Sequence, residues 1–131
     1  MTLRILLLAA LAAPSAFGAE STTSSSGDKH SFSATINAGG IHEECAKLAK
    51  DESRRYEWAS NAALDFNVHY HEGNEVFYPL KKDSVMKDKG TFKAKTAQDY
   101  CWMWTAKTPA KIDGKIERYA GTNFSARPLL Q

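Results

Sequence analysis

The sequence LDFNVHYH, residues 64–71, alternates strictly between apolar and polar side chains. One parity holds Leu64, Phe66, Val68 and Tyr70, and the other holds Asp65, Asn67, His69 and His71. Alternation with a period of two predicts a half-buried β-strand. Glu72-Gly73-Asn74 can turn the chain, and residues 75–80 then return as a second strand. Pro79 has no N–H to donate, so this second strand is expected at a sheet edge or near its own end.

Similar patterns recur outward from this hairpin, and they predict further short strands at residues 31–37, 53–60, 91–95, 98–106 and 111–119. Residues 43–50 are ambiguous, because Cys45, Leu48 and Ala49 have helical spacing. Residues 81–89 read as a basic connection. With no convincing long amphipathic helix, the pattern predicts an all-β fold, an antiparallel β-sandwich of about seven or eight short strands.

The first 18 residues have the order of a cleavable signal peptide. Arg4 precedes the apolar run Ile5–Ala13, and Pro14 and mostly small residues lead to Gly18. As a helix this run would rise about 14 Å, roughly half a bilayer core. An N-terminal core helix is the alternative, but the run has neither a cap nor a polar face. The expected location is therefore periplasmic or secreted, and the form of the signal favours a bacterial periplasm.

The rest of the chain divides by composition. Residues 19–30 are Ser-rich and predict a flexible lead-in, residues 31–120 form the β-sandwich domain, and residues 121–131 form a loose C-terminal tail. Lys and Arg number 17 against 15 Asp and Glu, which leaves no basic field for nucleic acid. No later apolar stretch approaches the roughly 20 residues of a membrane span. The mature chain is expected to be released as a monomer.

Two cysteines occur in the chain, Cys45 and Cys101. In an oxidising compartment an isolated pair in a small domain most simply forms one disulfide. Two metal thiolates or a redox pair are the alternatives. There is no C-x-x-C spacing to indicate a redox motif, and the two residues are far apart for a zinc knuckle.

Four segments in order resemble the Golgi-dynamics (GOLD) domain, a lumenal β-sandwich of eukaryotic transport cargo receptors. They are HEECAKLAKDESRRYEWAS at residues 42–60, LDFNVHYHEGNEVFYPL at 64–80, KGTFKAKT at 89–96 and DYCWMWTA at 99–106. The resemblance covers about residues 41–119 and implies that Cys45 pairs with Cys101. No transmembrane helix, coiled coil or cytosolic tail is expected after the domain, so the cargo-sorting role does not carry over.

His69 and His71 are the sharpest candidate for chemistry. Residues two apart in a strand point to the same side, so the two imidazoles are predicted to lie close together. Such a pair could supply two ligands for zinc or copper, with a third from His42, Glu43, Glu44 or Glu72. The alternative is a pair of solvated or hydrogen-bonded surface histidines, or a protonation switch. The candidate metal site is His69, His71, His42 and Glu44.

Aromatic residues are the second candidate. Tyr70, Trp102 and Trp104 could form a stacking platform for a sugar or peptide, although their period-two placement equally fits a sandwich core. The chain has no G-x-S-x-G, H-E-x-x-H or phosphate-loop motif. The sequence therefore predicts a protein that is not an enzyme and needs no cofactor. We expect a non-catalytic interaction module for an envelope protein or ligand, with a periplasmic metal-binding protein as the alternative.

Overall fold

The computed structural model describes residues 21–26 and 29–119. Seven antiparallel strands span this part of the chain: β1 (Ser21–Ser26), β2 (Lys29–Ile36), β3 (Ile41–Leu48), β4 (Ser53–Glu72), β5 (Glu75–Lys93), β6 (Gln98–Ala106) and β7 (Ala110–Tyr119). The predicted signal peptide, residues 1–18, and the predicted C-terminal tail, residues 121–131, lie outside the described residues. Within the described residues, no helix has the length and apolar character needed to cross a membrane.

All seven strands belong to one hydrogen-bonded sheet, in the order β1-β2-β7-β4-β6-β3, with β5 paired to the remaining edge of β4. The all-β, antiparallel prediction is confirmed. The division into two separate sheets is not confirmed, because one sheet curls into a half-barrel instead. Two long strands each merge two of the predicted short ones, since β4 spans 20 residues and β5 spans 19.

The sheet curls because β4 bends, so that its two halves pair with different strands. β7 pairs with residues 53–60 of β4, and β6 pairs with residues 64–69 of the same strand. On their other side, β2 pairs with β7 and β3 pairs with β6 in one continuous register, Ile36 opposite Ala110 and Ile41 opposite Thr105. Two halves of the sheet thus face one another across the bend.

Three sequence expectations change as a result. Residues 43–48 belong to strand β3 rather than a helix, with Leu48 facing the core and Cys45 facing outward. The basic segment 81–89 is part of β5, and register shifts opposite Leu64 and Val68 let this strand follow the bend. Backbone pairing also reaches into the predicted lead-in, since Ser21–Ser26 pair with β2.

Side chains from both halves meet on the concave side. The Phe32 ring of β2 lies 4.9 Å from that of Trp104 in β6, and the Trp58 ring lies 5.4 Å from that of Phe66 across the bend in β4. The largest fully buried side chains include Trp102, Trp104, Tyr100 and Phe66. The aromatic residues of the β6 sequence therefore build the core.

The Phe32 ring also leaves no room for a side chain at Gly114 of β7. A Cβ added at Gly114 would lie 2.8 Å from Phe32 Cε1 and 2.9 Å from its Cε2. Contacts this short do not occur between real side chains, so the ring occupies the space that a side chain on β7 would need.

A disulfide joins Cys45 of β3 to Cys101 of β6, as the sequence predicted. The two residues are direct cross-strand partners, with Cα atoms 4.1 Å apart. The bridge spans a sequence separation of 56 positions and leaves no free cysteine. A disulfide is typical of proteins from oxidising compartments.

Candidate functional site

His69 and His71 project from one face of β4, and their ring centroids lie 5.2 Å apart. They differ in environment, since His69 is 4% exposed whereas His71 is exposed. Asn67 Oδ1 can only accept, so it fixes His69 Nδ1 as the donor of their 2.8 Å hydrogen bond. Burial lowers the pKa of His69, opposed by the Glu43 carboxylate and assisted by His71. The neutral ring then carries its lone pair on Nε2.

That lone pair faces a carboxylate. His69 Nε2 lies 3.5 Å from Glu43 Oε1, and the same oxygen lies 3.4 Å from Cys45 Sγ. Cys101 is the cross-strand partner of both His69 and Cys45. A ligand atom from each of Glu43, His69 and Cys101 falls within 4.8 Å of the others. We call the four residues Glu43, Cys45, His69 and Cys101 the convex cluster.

The other two predicted metal ligands lie elsewhere. Successive strand residues point to opposite faces, so Glu44 and His42 face the concave side while Glu43 faces His69. Glu44 accepts hydrogen bonds from His42 Nε2 at 2.8 Å and from His30 Nε2 at 2.5 Å. The structure therefore does not bring His42 and Glu44 together with His69 and His71.

The His30–Glu44–His42 arrangement closes the concave side between β2 and β3. The His42 ring stacks on Phe32 at 5.5 Å and lies 5.9 Å from Trp104. Burial disfavours ionisation of Glu44, but hydrogen bonds from His42 and His30 and their positive charge outweigh it and hold the pKa of the carboxyl below its usual value. Both carboxylate oxygens are occupied, so the arrangement acts as a link between two strands.

A cleft of about 530 Å³ opens between the two halves of β5. Four aromatic rings line it, those of Tyr56, Tyr70, Phe92 and Tyr100. Four lysines, Lys82, Lys89, Lys93 and Lys95, also line it, and no Asp or Glu does. We call this site the tyrosine–lysine cleft.

Two of its hydroxyl groups are already bonded within the protein. Tyr56 donates to Asp88 Oδ2 at 3.0 Å, and Tyr100 donates to the Thr96 carbonyl at 2.8 Å. Burial and the Asp88 carboxylate raise the pKa of Tyr56 far above its usual range. Because these hydroxyls are engaged, the rings offer the cleft mainly their faces and edges.

Lysine charge in the cleft is only partly neutralised. Lys82 Nζ lies 2.8 Å from Asp88 Oδ1, and Lys93 makes a long, exposed pair with Asp51 at 3.9 Å. Lys89 and Lys95 form no ion pair with any described residue. A second groove of about 650 Å³ differs, because Glu57, Asp88 and Asp113 accompany its three lysines. Of these two sites, the tyrosine–lysine cleft has the net positive lining.

The predicted aromatic platform is divided by the structure. Trp102 and Trp104 are 0% and 1% exposed, which places them in the core, whereas Tyr70 is half-buried and lines the cleft. With Trp58, these tryptophans keep buried indole N–H groups that have no partner among the described residues.

Sequence reasoning missed His30 and most of the cleft. His30 continues the parity of Phe32, Ala34 and Ile36 by one step, and that signal was available. Two of the cleft lysines, Lys82 and Lys89, belong to the segment 81–89 that was predicted as a connection, whereas Lys93 and Lys95 belong to the predicted strand 91–95.

No protein-family model matches the chain, and no curated protein matches it. Solved structures do match, and three of them, each at low sequence identity, are the following. The crystal structure of the Yersinia pseudotuberculosis-derived mitogen is 11% identical, with a TM-score of 0.53, covering 75% of this chain and 92% of that one. Aeromonas hydrophila PliG, described as a periplasmic inhibitor of g-type lysozyme, is 8% identical with a TM-score of 0.47, covering 69% and 87%. A protein described as CBM4 is 7% identical with a TM-score of 0.47, covering 76% and 78%. The likeness to the mitogen is one of fold alone.

Proposed function

We propose that this protein is an exported, non-catalytic binding module whose tyrosine–lysine cleft takes an acidic segment of a partner protein. One observation carries the proposal: four aromatic rings and four lysines line the cleft, and no carboxylate does. Aromatic faces supply apolar contact area, and the lysines favour an anionic ligand. Export follows from the predicted signal peptide and agrees with the disulfide.

Features beside the cleft favour a polypeptide as the ligand. Phe77 stacks on Tyr70 at 5.1 Å and continues the aromatic surface to the tip of the β4–β5 hairpin. Phe77 itself is 36% exposed. Exposed aromatic residues of this kind are enriched at protein interfaces. Along β5 the only described pairing is with β4, so its other backbone edge can accept an added strand.

The experiment is a fluorescence anisotropy titration of the full chain with a labelled peptide of glutamate and tyrosine. A peptide with lysine in place of glutamate is the ligand control. We expect Lys89→Ala/Lys95→Ala to weaken binding at least about tenfold, since two unpaired cations are lost. The matched control is Lys47→Ala/Lys111→Ala, which removes two exposed lysines from other strands.

Equal affinity in the two double variants would reject the cleft as the binding site. An acidic oligosaccharide serves as a third ligand, and tighter binding of that ligand than of the acidic peptide would reassign the partner class. The sandwich architecture and the GOLD relationship stay predictions that this experiment does not address. A metal-binding role for His69 and His71 with His42 and Glu44 has less support, because the two pairs lie on opposite faces.

A further inference from the structure

We propose that reduction of the Cys45–Cys101 disulfide turns the convex cluster into a tetrahedral zinc site, with Cys45, Cys101, His69 and Glu43 as ligands. This site is separate from the tyrosine–lysine cleft and does not depend on the function proposed for it. Cys45 and Glu43 lie on β3, Cys101 on β6 and His69 on β4, so three neighbouring strands position the ligands.

The spacing of the ligand atoms matches the edges of a tetrahedral site. Zinc bonds of about 2.0 to 2.3 Å imply ligand atoms about 3.3 to 3.8 Å apart in a tetrahedral site. His69 Nε2 lies 3.5 Å from Glu43 Oε1, and that oxygen lies 3.4 Å from Cys45 Sγ. The first distance is long for a hydrogen bond, but it leaves room for a cation between two atoms that both carry lone pairs.

Histidine orientation is already set. Asn67 Oδ1 accepts from His69 Nδ1 at 2.8 Å, which directs the free lone pair of Nε2 at Glu43. A hydrogen bond from the second ring nitrogen to an oxygen is the usual support for a zinc-bound histidine. His69 is also 4% exposed, which shields its ring from bulk water, whereas Glu43 and Cys45 lie at the surface, where an ion can enter.

In the oxidised protein the two sulfurs are bonded to each other, so neither is an anionic ligand. A dithiol reductant opens the bond by two exchanges: its sulfurs form a new disulfide, and Cys45 and Cys101 gain the two hydrogens. Zinc binding then releases the two thiol protons. Cross-strand partners with Cα atoms 4.1 Å apart can hold two thiolates on one ion after the S–S bond breaks. Two sulfurs, one imidazole and one carboxylate form a set that suits zinc.

The test is zinc titration of the full chain against a chromophoric chelator, oxidised and after anaerobic phosphine reduction and desalting. We expect the reduced chain to bind one zinc ion at least about 100-fold more tightly than the oxidised chain. Cobalt replaces zinc as a spectroscopic probe and should give tetrahedral visible bands with thiolate charge-transfer absorption. Asn67→Ala should weaken zinc binding about tenfold, because it frees the His69 ring.

His69→Ala is the deciding variant, with His42→Ala as its matched control on the opposite face. The proposal expects about 100-fold weaker zinc binding in the first and no change in the second. Retained affinity in reduced His69→Ala, or equal affinity in the oxidised and reduced chains, would overturn it. Circular dichroism of each reduced, zinc-loaded sample separates binding to the folded sheet from thiolate binding to an unfolded chain. A zinc complex without β-structure also overturns the proposal.

Discussion

Phe32 lies directly opposite Gly114, and the Phe32 ring fills the space where Gly114 lacks a side chain. They belong to paired strands, β2 and β7, and are direct cross-strand partners. The contact brings the Phe32 ring over the sheet and toward Trp104 on the opposite half. One glycine thus allows the two halves of the curled sheet to approach each other.

Gly114→Ala is therefore expected to destabilise the protein by about 1 to 3 kcal/mol through overpacking. The urea midpoint of unfolding measures the loss. Gly90→Ala is the control, since its added Cβ would meet only the Tyr56 ring, with the hydroxyl oxygen nearest at 3.0 Å. Phe32→Leu should recover part of the stability lost in Gly114→Ala, and an additive double variant would contradict the contact.

Glu44 makes stability depend on acidity. Its folded pKa lies below the unfolded value of about 4.5, so its contribution is fully present above that pH and is lost as pH falls through the folded pKa. Glu44→Gln should cost about 1 to 3 kcal/mol near pH 7, because two charge-assisted hydrogen bonds weaken. The gap to the unsubstituted protein should narrow as the pH falls below about 4.5 and through the lower folded pKa of Glu44. A constant gap in denaturation curves across that range would argue against the role assigned to Glu44.

The disulfide is expected to contribute about 4 kcal/mol, from the chain-entropy model for a bridge spanning 56 positions. Cys45→Ser/Cys101→Ser should lower the free energy of unfolding by about that amount. Zinc should then raise the thermal midpoint of the reduced chain but not that of the double serine variant, because only ligands of the folded state stabilise it. Thermal melts of the three samples, with and without zinc, provide the measurement.

Tyr56 is expected to resist ionisation. Burial and the Asp88 carboxylate raise its pKa in the folded state, so its contribution is intact below the unfolded value of about 10 and is lost at more alkaline pH. Asp88→Asn should lower the pKa of this phenol, since it removes the neighbouring charge. Ultraviolet titration of the folded protein, with Tyr56→Phe to identify the signal, checks the expectation.

Alternation predicted the strands well wherever one strand face meets the core, as in β2, β6 and β7. Alternation failed between the predicted strands 53–60 and 64–71, because the chain continues from Ser60 to Leu64 without a turn and β4 bends there. It also failed over 81–90, where β5 lies at a free edge and both of its faces carry charge. Such a strand is stabilised by backbone hydrogen bonds to the neighbouring strand, and the local sequence pattern does not show these bonds.

The site was predicted in pieces. Two-residue spacing was enough to place His69 beside His71, but the approach of Glu43 depends on the pairing of β3 with β6 and of β6 with β4. Sequence distance hides that relationship, as it hides the link from His30 to Glu44. Trp102 and Trp104 of β6 lie in the core, which was the alternative to the predicted stacking platform, whereas Tyr70 of β4 and Tyr100 of β6 line the cleft.

The shared register of β2–β3 against β6–β7 has a mechanical consequence. Because β2–β7 and β3–β6 share one continuous register, the disulfide between Cys45 and Cys101 constrains the alignment of both strand pairs. It holds not only β3 against β6 but also the more distant pairing of β2 with β7. Shifting either strand pair by one residue would require the other pair to shift with it, and the disulfide prevents that shift. One covalent bond between β3 and β6 thereby also sets the alignment of β2 with β7.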